Sequence, residues 1–296
     1  MRIRAFVIVL TAALAAGACG SSGGATASPA GSTPANPCAK SNLTLVTPGQ
    51  LTIGTDNPAY DPFFQGPTGH EWTGQFNHDP YNDQGFESAT AYAVAQQLGF
   101  TKDQVKWVAV PFNNSYKPGP KNFDFYLAQV SYTPQRAKGA DLSDSYYDEQ
   151  EAVVALQGTD IAKATTVAEL QPFTYGAQIG TTSYDVTKDV IKPGSAVQTF
   201  NTLNAALQAL KNGQIDGLVV DYPTAYYMAN VQLSNGTIVG VLPSASGTEH
   251  FSMVLQQGSP LTQCVNGALS ALRADGTLAQ IQDRWLNQVA HAPVLQ

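Results

Sequence analysis

The chain has 296 residues, 43% of them hydrophobic and only 12% charged, with a net charge of −7. That length supplies one large domain or two smaller ones. The acidic balance and the absence of any lysine/arginine cluster exclude nucleic-acid and polyanion binding, which calls for grouped cations.

Residues 1–18 carry the features of an export signal. Arg2 and Arg4 form a positive start, and Phe6 to Ala16 form an apolar core too short to span a bilayer. Gly17-Ala18-Cys19 resembles a lipoprotein cleavage box in which Cys19 becomes the lipidated terminus; a plain secretory signal with an incidental cysteine is the alternative. Residues 19–44 read as that cysteine plus a flexible tether, because the Gly/Ser/Ala/Pro run from Gly20 to Pro37 cannot bury a core. The expected location is the outer face of the cytoplasmic membrane, held by the N-terminal lipid. Two cysteines remain, and an oxidising compartment favours their pairing, so a Cys38–Cys264 disulfide is expected to tie an N-terminal strand to a C-terminal helix. His70, His78, His250 and His291 are scattered without metal-ligand spacing, and there is no phosphate-cradling glycine loop or nucleophile elbow. No metal and no cofactor are expected.

Leu51 to Thr55 reads as a short strand ending in Asp56-Asn57-Pro58, followed by the aromatic loop Tyr60-Asp61-Pro62-Phe63-Phe64. Residues 65–84 are a Gly-, Asn- and Asp-rich excursion suited to a flap or to a plain surface insertion. Gly85-Phe86-Glu87 starts a helix whose stripe of Ala89, Ala93, Val94, Gln97 and Leu98 runs to a stop at Gly99. Lys106 to Pro111 is the next strand, ending at Phe112, and residues 113–122 are too rich in Pro and Gly for a regular helix. Phe123 to Val130 reads as a strand feeding Ser131-Tyr132-Thr133-Pro134-Gln135-Arg136-Ala137-Lys138. There the proline sets a helical turn and gathers hydroxyls, N–H groups and one guanidinium at a strand's end. Such a corner suits a carboxylate, through partial positive charge from the N–H groups and a planar clamp from the arginine.

After Tyr147 the pattern restarts: strand Glu151 to Gln157, a capped turn at Thr165 to Leu170, and strand Tyr175 to Ile179. Gly180-Thr181-Thr182 then offers a second anion corner. Strand Val197 to Phe200, helix Thr202 to Asn212, strand Ile215 to Val220 with Asp221 at its end, helix Thr224 to Asn230 and strand Thr237 to Leu242 follow. Phe251 to Gln256 returns as a strand, and Leu261 to Val289 supplies two helices around Asp275-Gly276-Thr277. Strand–helix alternation argues for α/β with largely parallel sheets, and site-like loops in both 51–147 and 151–242 suggest two lobes facing a cleft.

The order Ile53-Gly54-Thr55-Asp56, the Pro-Phe loop, Gly85-Phe86-Glu87, Ser131 to Lys138, Leu142-Ser143-Asp144-Ser145-Tyr146-Tyr147, Gly180-Thr181-Thr182, Ala206 to Asp216 and Arg273 to Leu278 resembles the polar amino-acid-binding proteins of ABC importers, the family 3 extracellular solute-binding proteins. The resemblance covers about residues 45–290. It implies a two-lobed, periplasmic-binding-protein-like α/β fold of type II. Each lobe would be a mixed, mainly parallel sheet flanked by helices, and two hinge strands would join them, near Glu149 to Val154 and near His250 to Met253. Lobe 1 would comprise 45–150 plus 251–296 and lobe 2 would comprise 151–250. By the same resemblance Arg136 clamps the α-carboxylate of an amino acid, helped by Ser131 and the Thr182 backbone N–H. Asp221 takes the α-ammonium, a Gln129 backbone carbonyl assists, Tyr60 and Phe112 stack on the ligand, and Asp56 touches its side chain or amino group.

Physical chemistry supports that division of labour. A zwitterion leaving water needs both charges paired, because an uncompensated buried charge costs several kcal/mol. With the guanidinium on one lobe and the carboxylate on the other, ligand contacts favour the closed form. The implied function is extracytoplasmic capture of a free amino acid by a monomer that delivers it to an ABC permease. The alternatives are an enzyme on the same fold, of the cyclohexadienyl dehydratase kind, and an amino-acid sensor. An enzyme needs a general acid or base aimed at the ligand, and no further His or paired carboxylate stands at a motif position in the cleft. Family members usually carry a helix after the Phe112 position, whereas this chain has Tyr116 to Phe123 as Tyr-Lys-Pro-Gly-Pro-Lys-Asn-Phe; the pocket wall there is expected to be rebuilt.

Overall fold

The computed structural model describes residues 36–57, 59–66, 79–243, 249–286 and 292–296. Residues 1–35, which hold the expected export signal, Cys19 and most of the expected tether, lie outside them, as do residues 67–78 of the excursion.

Two five-stranded sheets organise the chain. The first has strands β1 (Leu51–Thr55), β2 (Val105–Ala109), β3 (Phe125–Tyr126), β4 (Asp141–Leu142) and, from far along the sequence, β12 (Val254–Leu255), in the order β2-β1-β3-β12-β4. The second holds β6 (Glu151–Leu156), β7 (Tyr175–Gln178), β8 (Gln198–Phe200), β9 (Gly217–Asp221) and β10 (Gly236–Val241), in the order β10-β6-β9-β7-β8. In each sheet four strands run one way and one, β12 or β6, runs against them, so the sheets are mixed and mainly parallel. Between the sheets β5 (Tyr147–Glu149) pairs antiparallel with β11 (Glu249–Phe251), so two of the segments that pass between the lobes form one two-stranded ladder.

Burial on both faces explains the unbroken apolar runs of the second sheet. Along β6, Val153 and Ala155 face one cluster with Ile161, Leu170 and Tyr175, while Ala152 and Val154 face another with Leu207, Leu210 and Leu218. Helix α5 (Leu203–Lys211) covers the second cluster; Thr202 caps it by accepting from the Ala205 N–H at 3.2 Å, and Ala206, Leu207, Ala209 and Leu210 form its buried face. The first sheet is covered by α1 (Phe86–Gln97), α7 (Leu261–Ala274) and α8 (Thr277–Leu286). Between α1 and α5 in the chain lie three short helices, α2 (Phe112–Ser115), α3 (Val167–Leu170) and α4 (Thr182–Val186); α6 (Tyr222–Tyr227) follows α5.

Several expected elements are shorter or differently faced. The buried side of α1 is Phe86, Ala91, Val94 and Ala95 together with Glu87 and Thr90, because sheet, loop and C-terminal helices enclose it on most sides; Gln97 is exposed. Gly85 makes the helix entry possible: its φ is +95°, and a Cβ there would lie 2.4 Å from the Phe63 carbonyl oxygen. The expected strand Phe123 to Val130 pairs only at Phe125–Tyr126, since Gln129 adopts φ +51° and turns the chain out of the ladder. The expected strand from Phe251 to Gln256 splits between the hinge ladder and the first sheet. The last residues depart from the expected division of the lobes. Val294 bridges Val241 in parallel, and Leu295 packs in the core of the second sheet.

Cys38 and Cys264 are joined, with S–S 1.98 Å and Cα–Cα 5.3 Å. Cys38 stands in a turn just ahead of a short 3-10 helix (Lys40–Asn42) and not in a strand, while Cys264 lies on α7 as expected.

Candidate ligand-binding site

Both sheets send the ends of their strands toward one cavity. The first lobe contributes Asp56 after β1, Tyr60 in the following loop, Phe112 after β2, and Gln129, Ser131 and Arg136 after β3. From the second lobe come Thr182 at the start of α4 and Asp221 at the end of β9. All eight residues singled out in the sequence therefore meet in one place, as ligand sites in open α/β sheets do at the carboxyl ends of strands.

Arg136 sits in a 3-10 turn (Arg136–Lys138) and is only 7% exposed. One guanidinium nitrogen donates to the Ser131 carbonyl at 2.5 Å, and the other crosses the cleft to the Gly180 carbonyl at 2.9 Å. The planar group lies over two rings, 5.3 Å from the Phe112 centroid and 4.9 Å from that of Tyr116. A cation over aromatic faces gains attraction while its edge stays free for an anion. The Tyr116 hydroxyl is within 3.2 Å of the Gly180 oxygen, and the Asn113 side-chain amide donates to the Ile179 carbonyl at 3.2 Å. Gly180 has φ +81°, a backbone conformation that strains any other residue, and a Cβ there would displace the Asn113 side chain, whose oxygen lies at 2.3 Å. The Ser131 and Thr182 hydroxyls add a further bridge at 3.2 Å.

The pocket wall after Phe112 is helical only to Ser115, against an expectation of no regular helix across 113–122, and irregular beyond it. Helix α2 gives way to an irregular segment, and Tyr116 is the residue that wall brings to the arginine. Its neighbours in sequence are turn formers, so nothing local marked it. Glu87 was quoted only as part of a motif, yet it holds the strand exit together. It is fully buried and accepts from the Gln129 N–H at 2.7 Å, from the Gln129 side-chain amide and from the Tyr146 hydroxyl. That grip stabilises the left-handed Gln129 backbone and turns its side-chain amide toward Glu87.

Burial governs the acids. It pushes the Asp56 carboxyl up to about 6 against N–H bonds from Asn57 and Phe112, and pushes Asp221 and Glu87 each up to about 7. Burial also lowers the Arg136 pKa, with Tyr116 and Asp221 opposing it. Carboxyls whose folded pKa lies above the unfolded value bind protons more tightly in the native state. Their contribution is complete below the unfolded pKa and is lost as pH rises through the folded one. The unliganded protein should therefore melt higher near pH 5 than near pH 7.5. A calorimetric melting series across that window checks it, and a flat or rising profile would mean these carboxyls are ionised in the folded protein.

The profile of the bacterial extracellular solute-binding proteins, family 3, matches residues 73–288. The chain is 29% identical over 170 residues to an ABC transporter arginine-binding protein 1 of Escherichia coli, spanning 57% of this chain and 68% of that one. It is 25% identical over 209 residues to the arginine-binding extracellular protein ArtP of Bacillus subtilis, spanning 69% and 78%. Among solved structures, an ancestral arginine-binding protein bound to arginine superposes with a TM-score of 0.63 at 28% identity, covering 80% of this chain and 98% of that one. With the family profile spanning well over half of its length, the chain belongs to the bacterial extracellular solute-binding proteins of family 3.

Proposed function

We propose that this protein captures a free amino acid with a cationic side chain between its two lobes and delivers it to an ABC import permease. The observation that carries the reading is the charge layout of the cavity: one guanidinium, Arg136, and two separate carboxylates, Asp56 and Asp221, on different lobes. Arg136, Ser131 and the Thr182 N–H receive the α-carboxylate. Asp221 takes the α-ammonium. Asp56, beside Tyr60, has no ion-pair partner among the described residues and answers a second positive charge at the far end of the ligand. Tyr60 and Phe112 supply ring faces for the aliphatic part, and the Gln129 carbonyl a further acceptor. The arginine-binding relatives support the same choice. Retention at the outer face of the cytoplasmic membrane through Cys19 belongs to this proposal and rests on the Gly17-Ala18-Cys19 box; delivery from a monomer completes it.

A thermal-shift panel of the common amino acids plus norleucine tests it. At a hundredfold excess over Kd a true ligand stabilises by about 2.7 kcal/mol. Arginine or lysine should give that response and norleucine, their uncharged counterpart, much less. Asp56→Asn should weaken the basic ligand by about 1.5–3 kcal/mol, the range for hydrogen bonds to charged groups, and leave norleucine nearly unchanged. Equal responses to lysine and norleucine would remove the cationic class, and no response to any amino acid would remove the capture reading itself.

A further inference from the structure

Four acids converge where the hinge ladder meets the second sheet. The register sets Glu149 opposite Glu249 across β5 and β11, and Glu151 opposite Asp221 across β6 and β9. Like charges directly across a ladder repel. The two-residue spacing also aims Glu149 and Glu151 at one side of the strand, and one carboxylate oxygen from each of Glu149, Glu151 and Asp221 lies within 4.8 Å of the others. Glu149 is 2% exposed, and no N–H or hydroxyl donates to either of its oxygens, nor to Glu151 Oε2 or Glu249 Oε2; the bonds left to Glu149 are carboxyl to carboxyl, with Asp221 and Glu249. The hydroxyls of Thr182 and Ser183 both reach Glu151 Oε1, each at 3.0 Å.

The groups facing this cluster do little to neutralise it. Arg136 acts on Asp221 and Glu249 from across the cleft, while Glu87 on α1 adds negative charge toward Asp221. The Tyr146 and Tyr147 phenols face the same carboxylates and remain neutral, since burial raises both of them. Closely packed buried carboxylates cannot all ionise. Burial first, and the neighbouring acids second, hold Glu149 and Glu151 well above the ordinary carboxylate range.

Position separates the roles. Asp221 lines the ligand cavity, whereas Glu149 and Glu151 line a separate small cavity with Glu249, Val186, Leu242 and Pro243, behind Asp221. We propose that Glu149 and Glu151 are positioning residues that keep a shared proton on the Asp221 cluster of the unliganded cleft, and that the ligand's ammonium group, docking on Asp221, expels this proton to solvent. The inference rests on the amino-acid reading above. A cationic amino acid brings a net charge of +1 and one proton leaves, the ligand keeps its own protons, and the net charge of the buried site stays constant through closure. A one-for-one exchange makes binding tenfold weaker for each pH unit below the pKa of the unliganded cluster.

Titration calorimetry of arginine binding to the mature chain, at pH 7 in phosphate and in Tris, reads the proton directly, because buffers of different ionisation enthalpy report each proton released. Wild type should release close to one proton. Glu149→Gln and Glu151→Gln each take one proton-holding carboxyl out of the cluster and should release far fewer. Their Kd should also vary less steeply than that of wild type between pH 6.5 and 7.5, where wild type changes about tenfold per unit. Arginine binding with no buffer-dependent heat, or variants that release as many protons as wild type, would overturn the inference while leaving amino-acid capture standing. A one-to-one stabilisation of chelator-treated protein by calcium alone, lost in Glu149→Gln, would assign the cluster to a metal ion and overturn it too. If no amino acid binds, the capture reading fails and the proton exchange with it.

Discussion

Arg136→Lys is expected to raise the Kd for the amino-acid ligand by roughly a hundredfold or more, while the unliganded protein still folds. The arginine is held before any ligand arrives, by the Ser131 carbonyl, the Gly180 carbonyl and the faces of Phe112 and Tyr116. A guanidinium so fixed presents its remaining N–H groups to a carboxylate with little further loss of side-chain freedom, whereas a lysine offers a compact point charge on a flexible stem. Losing one partner of a buried, hydrogen-bonded charge pair costs about 2–5 kcal/mol, and each 1.4 kcal/mol is tenfold in Kd. Alanine is the poorer probe: it would strand the carbonyl of buried Ser131 and empty the space between two rings, so stability would fall along with affinity. Titration calorimetry beside a melting curve of the unliganded variant separates the two effects. A Kd within threefold of wild type would make Arg136 a bridge between the lobes and move the carboxylate site elsewhere in the cleft.

Removing the disulfide should have the largest effect on stability. Cys38 and Cys264 are 226 residues apart in sequence, so the bond closes a long loop in the unfolded chain. Losing such a closure costs about 2–5 kcal/mol, which for a chain of this size lowers the melting temperature by about 5–15 °C. Neither cysteine lines the ligand cavity; both pack into the core beneath the first sheet. The double variant Cys38→Ser, Cys264→Ala should accordingly melt lower and bind its ligand with unchanged Kd. An unchanged melting temperature would mean that the core of the first lobe holds the N-terminal segment without the bond.

The two anion corners show how much of the site local sequence can carry. Ser131 to Arg136 and Gly180 to Thr182 were readable because proline, glycine and hydroxyl residues leave local marks on the backbone. Asp221 was readable because an apolar run fixes where its strand ends. Helices with one covered face, such as α5, were equally plain, since the 3.6-residue stripe survives when only one side is buried. On α1 the stripe misled, because that helix is enclosed on most sides and its buried residues include Glu87 and Thr90. Glu149 and Glu151 had a sequence signal, acids two apart at a strand's start, but their partners Asp221 and Glu249 lie tens of residues away.

The order of motifs shared with the family singled out the eight residues that meet in the cleft, whereas the sequence by itself determined the alternation of strands and helices and the pairing of the last two cysteines. Each of these follows from short-range patterns or from the count of a residue type. Only the tertiary structure decided that Tyr116 backs the arginine, that Glu87 holds Gln129 in its left-handed turn, that the last residues join the second sheet, and that four carboxylates crowd the hinge. Those facts depend on which distant segments come into register, and burial strengthens every charge interaction among them in a way that no local stretch of chain encodes.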